Sequence, residues 1–140
     1  MGGARAALVV AAVLQMWTPP LRVIDQGGLS RVDEARVVVA RNQDEWAAAW
    51  RAHAAARPLP AIDWSKEIVV GVFAGSRTTG GYRVEILGYR REDGRTIVGY
   101  RETAPAPGAL TAQVITSPFA IVTIPMQAGE VAVVSVGSRE

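Results

Sequence analysis

Cysteine is absent from the 140 residues, histidine occurs once as His53, and Lys66 is the sole lysine. Without thiols the chain has no disulfide, iron–sulfur site, thiolate zinc site or thiol nucleophile, and one imidazole excludes a two-histidine metal cluster. The missing cysteine also excludes a lipid anchor at a mature N-terminus. Charge of one sign is scarce: 15 basic residues stand against 13 acidic ones, a formal net charge of +2. The densest cationic group, Arg83, Arg90, Arg91 and Arg95, is interrupted by Glu85, Glu92 and Asp93. Nucleic acid is therefore not an expected partner, since phosphate contacts need a continuous basic stripe. Long hydrophobic runs are lacking too. The apolar stretch Ala6–Met16 reaches about 16 Å as a helix, against about 30 Å of hydrocarbon, too short for a membrane span.

What is present begins with that stretch. Arg5 precedes it, and Trp17, Thr18, Pro19 and Pro20 break it, the layout of a secretory signal. Residues 1–20 are thus expected to direct export to the periplasm, cell envelope or extracellular space. Residues 21–140 are expected to form a single domain. At 49% apolar composition, a chain of this size buries roughly two-thirds of its unfolded surface and folds without metals or cross-links.

Short β-branched stretches at Leu21–Ile24 and Arg36–Ala40 predict two strands separated by a turn region with Gly27, Gly28 and Ser30. A helix follows. Asn42 is its expected cap and Glu45 closes a capping box, while Trp46, Ala49, Trp50 and His53 share one face. Ile68–Ala74 is apolar throughout, as expected of a strand buried on both faces. Tyr82, Val84 and Ile86 alternate with Arg83 and Glu85, Asp93-Gly94 supplies a hairpin turn, and Thr96–Glu102 returns. Ala104–Gly108 holds two prolines and is expected to be loop. Phe119–Ile124 and Val131–Val136 are expected to pair around a turn at Gln127–Glu130. The result is an α+β fold: a mostly antiparallel sheet or open barrel of about seven strands with one covering helix.

Catalytic groups are hard to assemble. His53 is the only available imidazole base, and its place beside Trp46 and Trp50 makes it a packing residue. There is no Gly-x-Ser-x-Gly elbow, and nothing at fixed spacing joins His53, Asp63 and a serine into a triad. No catalytic residue, metal ligand or cofactor is assigned. The candidate partner-binding residues lie in two loops. Arg77, Thr78, Thr79, Gly80, Gly81 and Tyr82 connect the buried strand to an amphipathic one, with glycines that permit positive φ. Thr116, Ser117, Pro118 and Phe119 precede another strand, where proline fixes the backbone. Each loop also has a purely structural explanation, as a tight connection and as a corner.

These segments, in this order, resemble the PrcB C-terminal domain family, named for an accessory subunit of a bacterial surface protease complex. The resemblance runs through Glu45-Trp46 and Trp50, then Pro60, Asp63 and Trp64. It continues through Gly75 with Thr79-Gly80-Gly81-Tyr82, and through Pro105 with Thr116-Ser117-Pro118-Phe119, spanning Arg36 to Val136. It implies an exported, non-catalytic domain that stabilises or tethers an envelope protein, with an extracytoplasmic protease as the protein partner. The loop Arg77–Tyr82 also looks like the Thr-Thr-Gly-Tyr loop of chagasin-type cysteine-protease inhibitors. That second likeness implies the alternative of a protease inhibitor acting through loops 77–82 and 116–119.

Overall fold

Every residue of the strand Glu67–Phe73 is buried, and the rest of the fold is arranged on its two faces. The computed structural model describes residues 17–139, so the apolar run expected to act in export lies outside the described residues. In chain order the elements are β1 (Arg22–Gly27), β2 (Arg36–Ala40), α1 (Gln43–Ala54), β3 (Glu67–Phe73), β4 (Arg83–Glu92), β5 (Arg95–Thr103), β6 (Phe119–Pro125) and β7 (Val131–Arg139). They form a four-stranded sheet ordered β1-β6-β3-β2 and a three-stranded sheet ordered β4-β5-β7. Pairing is antiparallel except between β5 and β7. The α+β class, the seven strands and the single helix are as expected; the strands divide between two sheets and do not close a barrel.

Alternation along β3 and β6 creates two cores. Ile68, Val70 and Val72 of β3, with Ala120, Val122 and Ile124 of β6, point toward the three-stranded sheet and meet Val84, Ile86 and Val98. Val69 and Phe73, with Phe119 and Ile121, point the other way and meet Trp46, Ala49, Trp50 and Ala54 of α1. The layers are therefore helix, four-stranded sheet and three-stranded sheet. In α1 the side chain of Asn42 accepts from the Glu45 amide at 2.9 Å. The Glu45 carboxylate reaches back to the amide of Arg41, one residue earlier than a standard capping box. Asp44 and Glu45 in the first turn and Arg51 in the last complement the helix dipole. Asp93 and Gly94 both take positive φ, 51° and 79°, closing the β4–β5 hairpin as a two-residue turn whose twist matches that of the strands.

One pairing differs from expectation. β6 does not pair with β7, because β1 and β3 already occupy both of its edges. β7 crosses to the other sheet and takes the open side of β5, running parallel to it. The crossing is held by Arg41, whose guanidinium donates to the carbonyls of Gln127 and Gly129, and by the Thr96 amide, which donates to Glu130 O at 2.9 Å. β1 and β2 likewise lie at opposite edges of one sheet, not side by side.

Trp46 is 1% exposed and its indole N–H donates to Pro60 O at 2.9 Å, tying the helix to the segment that leads into β3. Trp46→Ala is expected to lower unfolding free energy by about 3–5 kcal/mol, and Asn42→Ala by about 1 kcal/mol. Urea denaturation of the full chain measures both.

Candidate functional site

The two candidate loops converge at one end of the stacked sheets. Arg77 and Thr116 form an antiparallel bridge with reciprocal bonds of 2.8 and 2.9 Å, and the Thr116 hydroxyl donates to Thr79 O at 2.8 Å. Gly80 N donates to Ala112 O at 2.9 Å, bringing in the long loop after β5. A third segment joins through Ser117, whose amide donates to Gly28 O and whose carbonyl accepts from Ser30 N. Arg77 is fixed further by a two-point pair with Glu102, 2.7 Å at each contact, and its guanidinium lies 5.7 Å from the Tyr82 ring centre. The hydrogen bond from Arg77 to Glu102 holds the guanidinium pKa above its ordinary value. Gly81 has φ +93°, and a Cβ there would lie 2.9 Å from Pro105 Cβ, so loops 77–82 and 104–115 meet at a contact only glycine allows.

Within this crown the candidates divide by exposure. Thr116, Ser117, Pro118 and Phe119 are buried and support the crown from beneath. Thr78 and Gly81 are exposed, while Arg77, Thr79, Gly80 and Tyr82 are half-buried. Tyr82 packs against Arg77 and belongs to neither core cluster. Two shallow clefts flank this loop. One of about 310 Å³ is lined by Arg36, Phe73, Arg77, Tyr100 and Glu102, and one of about 330 Å³ by Gln26, Gly28, Gly81 and Tyr82.

Sequence reading missed the most exposed apolar side chains of the crown. Leu110 is 103% exposed, Leu29 77%, Ile115 74% and Val114 54%. A signal for them existed: no charged residue occurs between Glu102 and Glu130, so the loop after β5 has no charge to solvate its apolar side chains. Trp64 and Tyr100, the aromatic side chains that would suit ligand stacking, are instead half-buried against the two cores.

His53 also has partners that spacing did not indicate. Its Nε2 lies 2.8 Å from Asp25 Oδ2 and its Nδ1 lies 2.8 Å from Ser30 Oγ. An ionised Asp25 only accepts, so Nε2 donates to it, while Nδ1 shares a hydrogen bond with the Ser30 hydroxyl, whose Oγ also accepts from Val32 N at 2.9 Å. This is a Ser–His–Asp set with its ring nitrogens used in the reverse sense to a hydrolase triad, where the nucleophile meets Nε2. The ring is 2% exposed and sits 4.3 Å from Phe119 and 5.2 Å from Trp50, centre to centre. Enclosed in this way, it latches α1 to β1 and to the crown segment 28–32. Asp63 has no part in it; its carboxylate bonds Ser65. Among the described residues, no three His, Cys, Asp or Glu side chains gather as a metal site.

Comparison with known proteins adds one finding. The family model described as PrcB C-terminal matches residues 68–125. The matched span runs from β3 through β6 and contains both candidate loops and the exposed Leu110, Val114 and Ile115, but not α1 or Leu29. No curated protein and no solved structure matches the chain.

Two carboxylates make the fold acid-sensitive. Burial pushes the Asp25 pKa up, but hydrogen bonds from His53 and Arg57 outweigh it and hold the group below its usual value. Glu67 is held low chiefly by its hydrogen bond from Arg22, at 2.7 Å. With folded pKa values below the unfolded ones, their stabilisation is complete above about pH 4 and is lost as pH falls through the folded values. Thermal melts from pH 7 to pH 2 are expected to show a falling Tm below about pH 4. The double variant Asp25→Asn, Glu67→Gln is expected to melt lower at pH 7 and to show a shallower decline.

Proposed function

We propose, with the PrcB C-terminal match over residues 68–125 as premise, that this chain is an exported, non-catalytic accessory domain that binds and stabilises an extracytoplasmic protease through its loop crown. One observation carries the binding surface: Leu29, Leu110, Val114 and Ile115 stand in solvent on segments that Thr116, Ser117 and Arg77 tie together. Apolar side chains grouped on a surface are what a protein partner covers. The segments beneath them are held by backbone bridges and the Arg77–Glu102 pair, so little loop ordering opposes association. The signal-like start of the chain supports export.

The inhibitor reading uses the same surface. It is favoured by the Arg77–Thr116 bridge, which fastens the partly exposed loop 77–82 onto the buried segment 116–119 and so restrains the loop that would meet a protease cleft. The two readings differ in sign: an accessory domain preserves the activity of the bound protease, whereas an inhibitor abolishes it.

The test is capture of envelope proteins by the tagged full chain, followed by an assay of the captured protease. Leu110→Asp and Ile115→Asp are expected each to weaken capture at least tenfold, as for apolar contacts at an interface centre, and to leave Tm within about 2 °C of the parent. If no protease is retained, or both variants retain it as the parent does, the reading is wrong.

A further inference from the structure

The gap between the two sheets is closed along one side and open along the other. On the closed side Thr18 and Tyr89 exchange backbone bonds of 2.8 and 2.9 Å at the free edge of β4. There too Leu21 N donates to Thr123 O at 2.9 Å in the other sheet, and the Gln26 side-chain amide donates to Val84 O at 2.7 Å. On the opposite side the outermost strands are β2 and β7. Arg41, just past the end of β2, bonds the carbonyls of Gln127 and Gly129 and shuts the gap at that end. Toward Arg36 the edge of β2 is free. Its one strand partner is β3, and among the described residues no backbone group of Arg36–Ala40 bonds any other segment. Alternate residues of such an edge turn their N–H and C=O groups outward, a template for one more strand.

Beside the Arg36 end of this edge lies the cleft of about 310 Å³. By alternation Val37 and Val39 face the core between the sheets, as their partners Val72 and Val70 do, while Arg36 and Val38 face the helix side. Val37 is left 42% exposed at the cleft, whose apolar lining also includes Val72, Ala74, Val84 and Tyr100. Of the three charged side chains there, Arg77 and Glu102 neutralise each other through their two-point pair. Arg36 is exposed, with its guanidinium 5.9 Å from the Phe73 ring centre, and it forms no ion pair among the described residues.

We propose that β2 and this cleft bind the C-terminal tail of another polypeptide as one more antiparallel strand of the four-stranded sheet. The direction follows from the antiparallel order of that sheet. A strand added to β2 in the same sense runs from Ala40 toward Arg36, so its C-terminal end arrives beside the guanidinium that lacks a partner. The last residue lies opposite Arg36, where its carboxylate accepts charge-assisted hydrogen bonds. The residue before it lies opposite Val37 and turns its side chain into the cleft, whose lining suits an aliphatic or aromatic group. β2 offers five residues, and Arg41 closes the gap beyond them, so a tail of about five residues fills the edge. Main-chain bonds supply affinity, while the cleft and Arg36 supply selectivity. The site is separate from Leu29, Leu110, Val114 and Ile115 and does not depend on what the crown binds.

The test uses the full chain and an array of labelled pentapeptides with Leu, Ile, Val or Phe next to last, each made with a free C-terminal carboxylate and as the C-terminal amide. Fluorescence anisotropy reads binding. The acids are expected to bind and their amides to bind at least tenfold more weakly. Arg36→Gln is expected to bring the acids to the level of the amides and to leave Tm within about 2 °C of the parent. Only one set of N–H groups on the added strand faces β2, so N-methylation of alternate peptide residues is expected to abolish binding in one phase and spare it in the other. In NMR spectra the amide signals of residues 36–40, Val72 and Tyr100 are expected to shift on binding. The site is overturned if no peptide binds better as the acid, if Arg36→Gln binds the acids as the parent does, or if methylation is tolerated in both phases. Shifts confined to residues 110–115 also overturn it, because they put the peptide on the crown.

Discussion

The burial of β3 on both faces is the constraint from which the remaining architecture follows. A strand with no solvated face must be covered twice, and each covering layer must present its own apolar surface. On one side α1 supplies Trp46 and Trp50; on the other the β4–β5 hairpin supplies Val84, Ile86 and Val98. β6 runs alongside β3 with the same alternation, so the paired strands form a wall between two cores. Because β6 is flanked by β1 and β3, the chain beyond it must leave the sheet, and this places β7 on β5.

The crown inherits its position from that wall. The connection after β3 and the approach to β6 emerge side by side, which is why Arg77 and Thr116 bridge although they are far apart in sequence. His53 contributes from below: held between Asp25 and Ser30, it fastens the helix to the segment whose carbonyl and amide groups bond Ser117. The Arg77–Glu102 pair does the same between the loop and the end of β5. The resulting surface combines a restrained base with exposed aliphatic side chains.

Legibility varied with the range of the interaction involved. The strand at Ile68–Ala74, the Asp93-Gly94 turn and the Asn42 cap were readable because each depends on neighbours a few residues away. The likeness to the PrcB C-terminal family could be stated from motifs alone, and the family model matches residues 68–125 within the stretch those motifs span. The two candidate loops were singled out separately; that they meet at the Arg77–Thr116 bridge, and which of their residues are exposed, was not readable. Thr116–Phe119 reads as a polar-to-apolar corner either way, and only the packing beneath the crown shows these residues to be buried. Leu110 and Ile115 look like ordinary core residues in a string of letters. The glycines at 88 and 99 look like weak points in strands until the Thr18 backbone is seen against the first and the Trp17 indole against the second.

Taken alone, the sequence determined the elements, their order and the chemistry that is absent, because periodicity, turn residues and the lack of thiols are properties of short segments or of composition. Tertiary structure decided which strands pair, which loops meet and which apolar side chains remain in solvent. Those outcomes depend on which hydrogen-bonding edges are already occupied and how much volume each core can fill. The departure of β7 from β6 is settled by β1 and β3 holding both edges of β6. The choice of Asp25 and not Asp63 as the partner of His53 is settled by where β1 runs beside the helix. Neither is encoded within the span of residues over which local pattern operates.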